Sequence, residues 1–413
     1  MTLDPVHVDE IAALARLIER DVEADEHDDF AETVWQDWLD PLTRDGDILL
    51  EPVDGLNRTH VRIDEIGLID SPFPTSHGID SGTLNPTTFR NGAVIDVAHA
   101  AMAREPSDQE LHRSRSIVGT IHLGDAGVYI PESWQSFDAG YSRRKWIQAP
   151  QVTRFAEGVV HSLALYYAES QHAHEHLEHV EDLLILDGPL YPKEILRWQD
   201  RHRELRKRLL SEVLPGQVIQ SYIDLIEACL ERDLPLVGFV KNPSSNRLTR
   251  ALRGSGAPAP WFNDAALFRR LLTPDASIDR PQDFLGHTNW FVSRAGTDGT
   301  FAAEHGHELD LTFADPAWRF TVTFMAIYDA RDQAIYRAEA PYGVIADEET
   351  RQKLTHLLLR EVAAERGPPR AVQKADQLAR ISRGEKQSLR RAIESEWETR
   401  VDRTYDDRRW GGE

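Results

Sequence analysis

The sequence predicts a mixed α/β protein, and the order of its strand-like and helical stretches is the main reason. Three strand-like stretches, SHGIDSGTLNP, RNGAVIDVAHAAMA and SRSIVGTIHLG, come before a long helical pattern. Two short apolar strands then alternate with further helices. This order indicates one mixed sheet covered by helices. With 413 residues, 41% of them hydrophobic, the chain can bury a large core.

Helices are predicted at both ends of the chain, with strands beside them. Apolar residues recur at helical spacing in the first 40 residues, and three helical patterns follow residue 346. The stretch ILLEPVDGLNRTHVRI (residues 48–63) alternates around turn residues and predicts a hairpin. From Asp283 to Glu339 the pattern is strand-like and rich in turns.

The middle of the chain predicts the elements that frame the candidate site. A helical pattern runs from about residue 151 to 179 and is followed by the strand DLLILDGP. Helices are predicted over Lys193–Leu210 and Gly216–Arg232, and then the strand LPLVGFVK. Two short helices follow, NRLTRALRG and NDAALFRRLL.

The charge balance is strongly acidic. The net charge is −22, from 69 acidic and 47 basic residues, and only seven of the basic residues are lysine. Such a surface is typical of proteins from salt-loving microbes, although an ordinary acidic cytosolic protein is the alternative. Taken alone, the balance argues against nucleic-acid binding, which normally needs a basic surface.

The sequence predicts a cytoplasmic protein with no membrane contact. No apolar run approaches the length of a membrane span, and the start, MTLDPVHVDE, lacks the regions of a signal peptide. The single Cys229 cannot form an internal disulfide and is expected in the core.

Two acidic residues stand where apolar strands give way to small residues. Asp80 lies in GIDSG, and Asp187 follows four aliphatic residues in LLILDGP. Ligand sites in α/β sheets gather at strand ends, and two acids on neighbouring strands would repel each other unless a cation lay between them. A hard ion such as Mg²⁺ or Mn²⁺ suits such oxygen ligands. The alternative is a plain turn, because Asp-Gly is a common turn dipeptide.

A third strand ends in a charge of the opposite sign. Lys241 follows the strand Leu236–Val240 and could stabilise a phosphate or the charge that develops on it. The alternative is a lysine without a functional role.

Taken in order, GIDSG, LILDGPLYP and GFVKNPSSNRL resemble the NurA family of archaeal and bacterial DNA-repair nucleases. The resemblance covers about residues 76–382, with residues 1–75 as an N-terminal helix and hairpin and 383–413 as a helical tail. It implies an RNase H-like mixed sheet flanked by helices, with a strand-rich extension and helical termini. It also implies a homodimer that cuts DNA with Mn²⁺ or Mg²⁺, as a 5′-to-3′ exonuclease and single-strand endonuclease. The expected partner in resecting broken ends is HerA, a hexameric ATPase that translocates DNA.

The resemblance assigns roles to four residues before the C-terminal motif. Asp80 and Asp187 match the family's metal carboxylates, and Lys241 matches its lysine after the GFV strand. Glu157 in RFAE fits the family's helix carboxylate, and Glu169 is the fallback.

The C-terminal motif departs from the family pattern. Where the family has Gly-Tyr-Pro and then Ala-His, this chain reads RGPPRAVQKADQLARIS, with Pro368 in place of Tyr and Asp376 in place of His. Asp376 is a competent oxygen ligand, so the resemblance predicts a metal site of Asp80, Asp187 and Asp376. Otherwise Asp376 is a surface residue.

The expected chemistry is metal-assisted phosphodiester hydrolysis, with Glu157 as a ligand or water-orienting group and Lys241 screening the phosphate. Three local concentrations of basic residues could line a DNA channel: Arg143–Lys145, Arg197–Arg208 and Arg247–Arg253. Solvated helix faces are the alternative.

Two other functions are compatible with the sequence. His172, Glu175 and His176 spell HxxEH, a zinc-peptidase signature. The departures at Pro368 and Asp376 also allow a subunit that binds DNA or HerA and has lost the chemistry.

Overall fold

The structure is a computed structural model and describes residues 4–14, 24–124, 129–131, 133–275, 278–301 and 317–403. It confirms the mixed α/β class, because the fifteen strands in these residues join into one mixed sheet flanked by helices. The strands are β1 Leu42–Arg44, β2 Asp47–Pro52, β3 Arg58–Arg62, β4 Ser76–Thr83, β5 Thr87–Thr88, β6 Val94–Glu105, β7 Arg115–His122, β8 Gln135–Phe137, β9 Ser142–Gln148, β10 Leu184–Asp187, β11 Leu236–Val240, β12 Phe284–Thr288, β13 Phe291–Ser293, β14 Val322–Asp329 and β15 Ala334–Pro341.

The helices cover both faces of this sheet. They are α1 Pro5–Leu14, α2 Ala24–Trp38, α3 Ile63–Ile66, α4 Ala156–His176, α5 Lys193–Leu196, α6 Trp198–Arg201, α7 Arg203–Ser211, α8 Val213–Glu231, α9 Arg247–Gly254, α10 Asp264–Leu272, α11 Tyr342–Ile345, α12 Glu348–Glu365, α13 Arg370–Ala379 and α14 Arg383–Glu396. None of them combines the length and the apolar composition that a bilayer-spanning helix needs.

The centre of the sheet positions the candidate site. Along it the strands run in the order β7-β6-β4-β10-β11. β4, β10 and β11 are parallel, whereas β6 is antiparallel to both β4 and β7. The three early strands therefore form the predicted meander, and the two later apolar strands extend it on the other side.

Three hydrophobic clusters hold the helices to the sheet. The largest packs α4, α8 and α12 against the central strands, and a second joins α2, α9 and α10 to β14 and its neighbours. The third, smaller cluster lies under α14 and contains Leu84, Phe89 and Ile95.

Two predictions about the fold were wrong in detail. The segment 48–63 does not form a hairpin: β2 pairs with β1 and β13, and β3 pairs with β12. The helix predicted over 193–210 is divided into α5, α6 and α7. At the last break His202 adopts an extended backbone, and its ring accepts a hydrogen bond from the Glu204 amide, which begins α7.

Gly78→Ala tests how closely α13 packs on β4. A Cβ at position 78 would lie 2.3 Å from the backbone carbon of Ala371. Backbone atoms of a packed helix cannot yield as a flexible side chain can, so we expect a loss of about 1–3 kcal/mol in the free energy of unfolding. The measurement is chemical denaturation.

The matched control is Gly158→Ala in the first turn of α4, where an added Cβ meets nothing within 4 Å. It should leave stability unchanged or raise it slightly, because alanine favours helix more than glycine. Equal stability of the two variants would contradict the close packing.

Candidate metal centre

Asp80 and Asp187 lie side by side on adjacent parallel strands. In the register of β4 and β10, Ile79 is opposite Leu186, and the two acids are the next residues on each strand. Asp187 ends β10 as predicted. Asp80 does not end its strand, because β4 continues to Thr83 in its pairing with β6. The parallel register of β4 and β10 makes the two acids neighbours.

Glycine on both sides of Asp80 allows a helix to approach the strand closely. Gly78, Asp80 and Gly82 share one face of β4, since side chains alternate along a strand. A Cβ at Gly82 would lie 2.2 Å from the carbonyl oxygen of Ala379, at the end of α13. The backbone of α13 therefore rests directly on the β4 backbone, and α13 carries Asp376.

The three aspartates converge as a result. Asp80, Asp187 and Asp376 each offer a carboxylate oxygen, and these oxygens lie within 4.8 Å of one another. Asp80 and Asp187 are largely buried, and Asp376 is exposed. An all-oxygen set of this kind suits a hard divalent cation. Within the described ranges no other group of three or more His, Cys, Asp or Glu residues converges in this way.

Burial and mutual repulsion disfavour the ionised forms of these acids. Burial, with the charges of Asp187 and Glu169, raises the pKa of Asp80 to about 8. Burial also raises the pKa of Asp187, although the attraction of Lys241 opposes this. A cation at the cluster would favour the ionised carboxylates, so the residues present fit the ion that the sequence predicts.

Lys241 is the positive group of the cluster. It follows β11 directly, and its Nζ lies 2.6 Å from Oδ2 of Asp187. Burial opposes its charged form, but Asp187, Asp80 and Asp376 outweigh burial and raise the pKa of Lys241. A lysine held in this way stays charged, in line with its proposed part in screening a phosphate.

A buried charge network holds the chain where it leaves β10. The Leu190 amide donates to Oε2 of Glu339, and Nζ of Lys193 lies 2.5 Å from Oε1 of the same residue. Lys193 and Arg337 also contact Asp298. Burial alone would raise the pKa of Asp298, but these two cations lower it to about 2. The turn after Asp187 is therefore anchored by a network of buried ion pairs.

The structure does not bring Glu157 to the cluster. Glu157 is exposed in the first turn of α4, where it accepts a hydrogen bond from Thr88. Glu169 lies twelve residues further along the same helix, about 18 Å away at helical rise. It accepts hydrogen bonds from the hydroxyls of Ser81 and Tyr222. Helical spacing alone could not choose between the two glutamates.

Glu169 acts on the cluster from the other face of the sheet. Ser81 projects opposite to Asp80, so Glu169 reaches the strand from the α4 side. Burial raises the pKa of Glu169 to about 8, the charge of Asp187 adds to this, and the Ser81 hydrogen bond opposes it. It is thus the helix carboxylate nearest to the site.

A groove with basic walls opens over Asp80 and Asp376. Its volume is about 730 Å³, and its basic lining residues are Arg380, Arg383, Lys386 and Arg390, from the end of α13 and from α14. These residues were not among those predicted from the sequence. The pattern that could have identified a basic helix face is the spacing of Arg383, Lys386 and Arg390, which are three and four residues apart on a predicted helix.

The basic concentrations that the sequence analysis named contain several intramolecular ion pairs. Arg143 pairs with Glu175, Arg197 with Glu194, and Arg247 with Asp200. None of their residues lines the groove over Asp80.

The HxxEH segment gives no zinc site in the described part of the chain. Glu175 is paired with Arg143, and the Nδ1 of the buried His172 lies 3.0 Å from the Ser116 hydroxyl. His176 packs on His172, with 4.5 Å between ring centroids, and burial lowers its pKa to about 4. These residues are parts of the packing between α4 and the sheet.

Comparison with known proteins gives one family and several related structures. The model of the NurA domain matches residues 74–381, about three quarters of the chain. No curated protein sequence matches significantly. The crystal structure of the NurA nuclease from Sulfolobus solfataricus is similar over 96% of this chain and 98% of that chain, with 12% identity and a TM-score of 0.50.

A second NurA structure, solved with dAMP and manganese, is similar over 82% of this chain and 90% of that chain, with 11% identity and a TM-score of 0.45. The match to the family model covers the meander, β10, β11 and the aspartate of α13, and on that match the chain belongs to the NurA family.

Proposed function

We propose that this protein is a metal-dependent DNA nuclease that hydrolyses phosphodiester bonds at the Asp80–Asp187–Asp376 cluster. The observation that carries the proposal is the approach of three carboxylate oxygens within 4.8 Å beside a charged lysine. Membership of the NurA family supports the same activity. The ion is Mn²⁺ or Mg²⁺, in keeping with the oxygen-only ligands.

Each residue of the cluster has a distinct part in this proposal. Asp80, Asp187 and Asp376 hold the cation, which when bound neutralises phosphate oxygens and lowers the pKa of water. Lys241 orients Asp187 through their 2.6 Å contact and offers positive charge to the phosphate in the transition state. Because Asp376 joins the cluster in place of the family histidine, its presence supports an active enzyme over a subunit that has lost the chemistry.

We assign the helix carboxylate to Glu169 instead of Glu157. The hydrogen bond from Ser81, the neighbour of Asp80, supports this assignment. Through that bond Glu169 positions the β4 backbone close to the cation site. The amide of Ser81 also donates to Oδ1 of Asp80 at 2.7 Å, so one residue links both acids.

An RNase H-like core remains part of the proposal. It is supported by the strand order β7-β6-β4-β10-β11. In this order β4, β10 and β11 run parallel, and β6 is antiparallel to β4. Homodimer formation, a HerA-type partner, 5′-to-3′ polarity and action at broken DNA ends stay predictions. The same holds for the division at residues 75 and 382 and for the halophilic origin.

Asp187→Asn tests the activity. We expect loss of Mn²⁺-dependent cleavage by at least about a hundredfold, equivalent to about 2.7 kcal/mol of transition-state stabilisation. Labelled single- and double-stranded DNA are incubated with Mn²⁺, Mg²⁺, Zn²⁺ or EDTA at low and molar salt. Asp332→Asn, an acid between β14 and β15 that pairs with Arg366, is the control and should cleave as the wild type does. Wild-type protein that leaves DNA intact with every ion would refute the proposal.

The pair Glu169→Gln and Glu157→Gln tests which glutamate serves the site. Both changes replace a carboxyl group of α4 with an uncharged amide of similar shape. We expect Glu169→Gln to lower the cleavage rate by tenfold or more at saturating Mn²⁺ and Glu157→Gln to retain it, as only Glu169 contacts the neighbour of Asp80. The opposite ranking would restore Glu157 as the functional carboxylate.

The stability of the metal-free protein should depend on the protonation of Asp80. Its pKa is about 8 in the folded protein against an ordinary value of 3.8. Its contribution to stability is therefore fully present below pH 4 and is lost as the pH rises through 8. In EDTA we expect Asp80→Asn to unfold at a higher temperature than the wild type at pH 8.5, with little difference at pH 4.

Added Mn²⁺ should narrow this difference at pH 8.5. An ion at a hundred times its dissociation constant stabilises the wild type by about 2.7 kcal/mol, and Asp80→Asn should gain much less. Scanning calorimetry at both pH values, with and without Mn²⁺, makes the comparison. An equal gain for both proteins would place the ion elsewhere.

A further inference from the structure

Three of the four basic residues of the groove come from a helix outside the matched family domain. The match to the NurA domain ends at residue 381, and α14 begins at Arg383. Even so, Arg383, Lys386 and Arg390 line the same groove as Asp80 and Asp376. On a helix these three positions share one face, and the row from first to last is about 10 Å long at helical rise.

The orientation of α14 is set at its first turn. Ser382 caps the helix by accepting a hydrogen bond from the Glu385 amide, and the Glu385 carboxylate accepts one from the Ser382 amide at 2.7 Å. The one acid in the first turn of the helix is thereby engaged in the cap.

The rest of α14 is held by its apolar face. Leu389, Ile393 and Trp397 pack on the third hydrophobic cluster, and the Trp397 ring lies 5.4 Å from that of Phe89. After the helix, Val401 forms a β-bridge with Phe89. The basic face is therefore fixed toward the groove.

Charge distinguishes this groove from the protein as a whole. The chain carries a net charge of −22, yet four basic residues and two carboxylates line the groove. Arg390 is partly engaged, since it donates to the Leu84 carbonyl and the Thr87 hydroxyl. Lys386 has a contact of 3.4 Å with the side chain of Asn85. Both groups can still donate to a further acceptor.

We propose that α14 binds the sugar-phosphate backbone of a single DNA strand and leads it to the Asp80–Asp187–Asp376 cluster. The row is long enough for more than one phosphate, since a strand in duplex DNA carries one charge per about 3.4 Å of axis. No aromatic side chain is among the described lining residues, so the contacts go to phosphates and carry no base preference. The inference rests on the proposed nuclease function and names the residues that hold its substrate.

The test compares two variants of equal charge in the full-length protein. Arg383→Gln/Lys386→Gln removes two charges from the groove. Arg391→Gln/Arg400→Gln removes two exposed charges from the same end of the chain but outside the groove. Binding of a fluorescein-labelled thymidine 20-mer is followed by anisotropy in EDTA, where cleavage is absent, from 50 to 400 mM salt.

We expect the salt dependence of binding to be weaker in the groove variant. The magnitude of the slope of log K against log salt should fall by about 1.4, because each phosphate contact on a single strand contributes about 0.7. The control variant should keep the wild-type slope, and an adenosine 20-mer should give the same values. With Mn²⁺, the groove variant should lose more activity on the 20-mer than on a dinucleotide. Circular dichroism melts confirm that both variants are folded.

The outcomes separate the two proposals. If both variants shift the slope equally, or if the wild type does not bind the 20-mer, the role of α14 is overturned. If the slope changes as expected but no DNA is cut with any ion, α14 binds DNA and the nuclease assignment fails. If the wild type cuts DNA but the groove variant loses the same fraction of activity on long and short substrates, the nuclease assignment is upheld. The role of α14 in binding the DNA strand is then overturned.

Discussion

The close contact between α13 and β4 is the constraint on which the rest of the site depends. Asp376 can reach Asp80 only because positions 78 and 82 carry no side chain and the helix backbone lies on the strand. Any Cβ there would push the helix away and open the cluster. The register of β4 and β10 then places Asp187 beside Asp80. One helix packing and one strand pairing thus assemble three acids from distant parts of the chain.

The same assembly works against the stability of the metal-free fold. Burial raises the pKa of Asp80 and of Asp187, the neighbouring negative charges add to this effect, and Lys241 compensates for only part of it. The surrounding scaffold therefore has to hold the acids in place. Two of its parts are the buried network of Lys193, Arg337, Asp298 and Glu339 after β10 and the packing of the central strands on α4. Functional sites commonly combine unfavourable charges with a rigid support in this way.

Local sequence patterns predicted most of the central sheet, and physical reasons explain where they failed. Asp187 was readable because it ends a short apolar strand, and Lys241 because it directly follows one. Asp80 was found as an acid among small residues, although its position inside β4 depends on the longer partner β6. Glu157 and Glu169 lie on one helix, and only its packing against Ser81 distinguishes them. The β2 and β3 strands were recognised but not their distant partners, since pairing across more than 200 residues leaves no local trace.

The third hydrophobic cluster, which carries α14, contains none of the residues that form the main core under α4 and β10. Substitutions around Phe89 or Trp397 would therefore act on the packing of α14 and leave the residues of the main core unchanged. Under the functions proposed above, binding of the DNA strand and cleavage of the bond would be encoded in separable parts of the chain. The C-terminal helix could then be exchanged as a cassette without rebuilding the acidic centre.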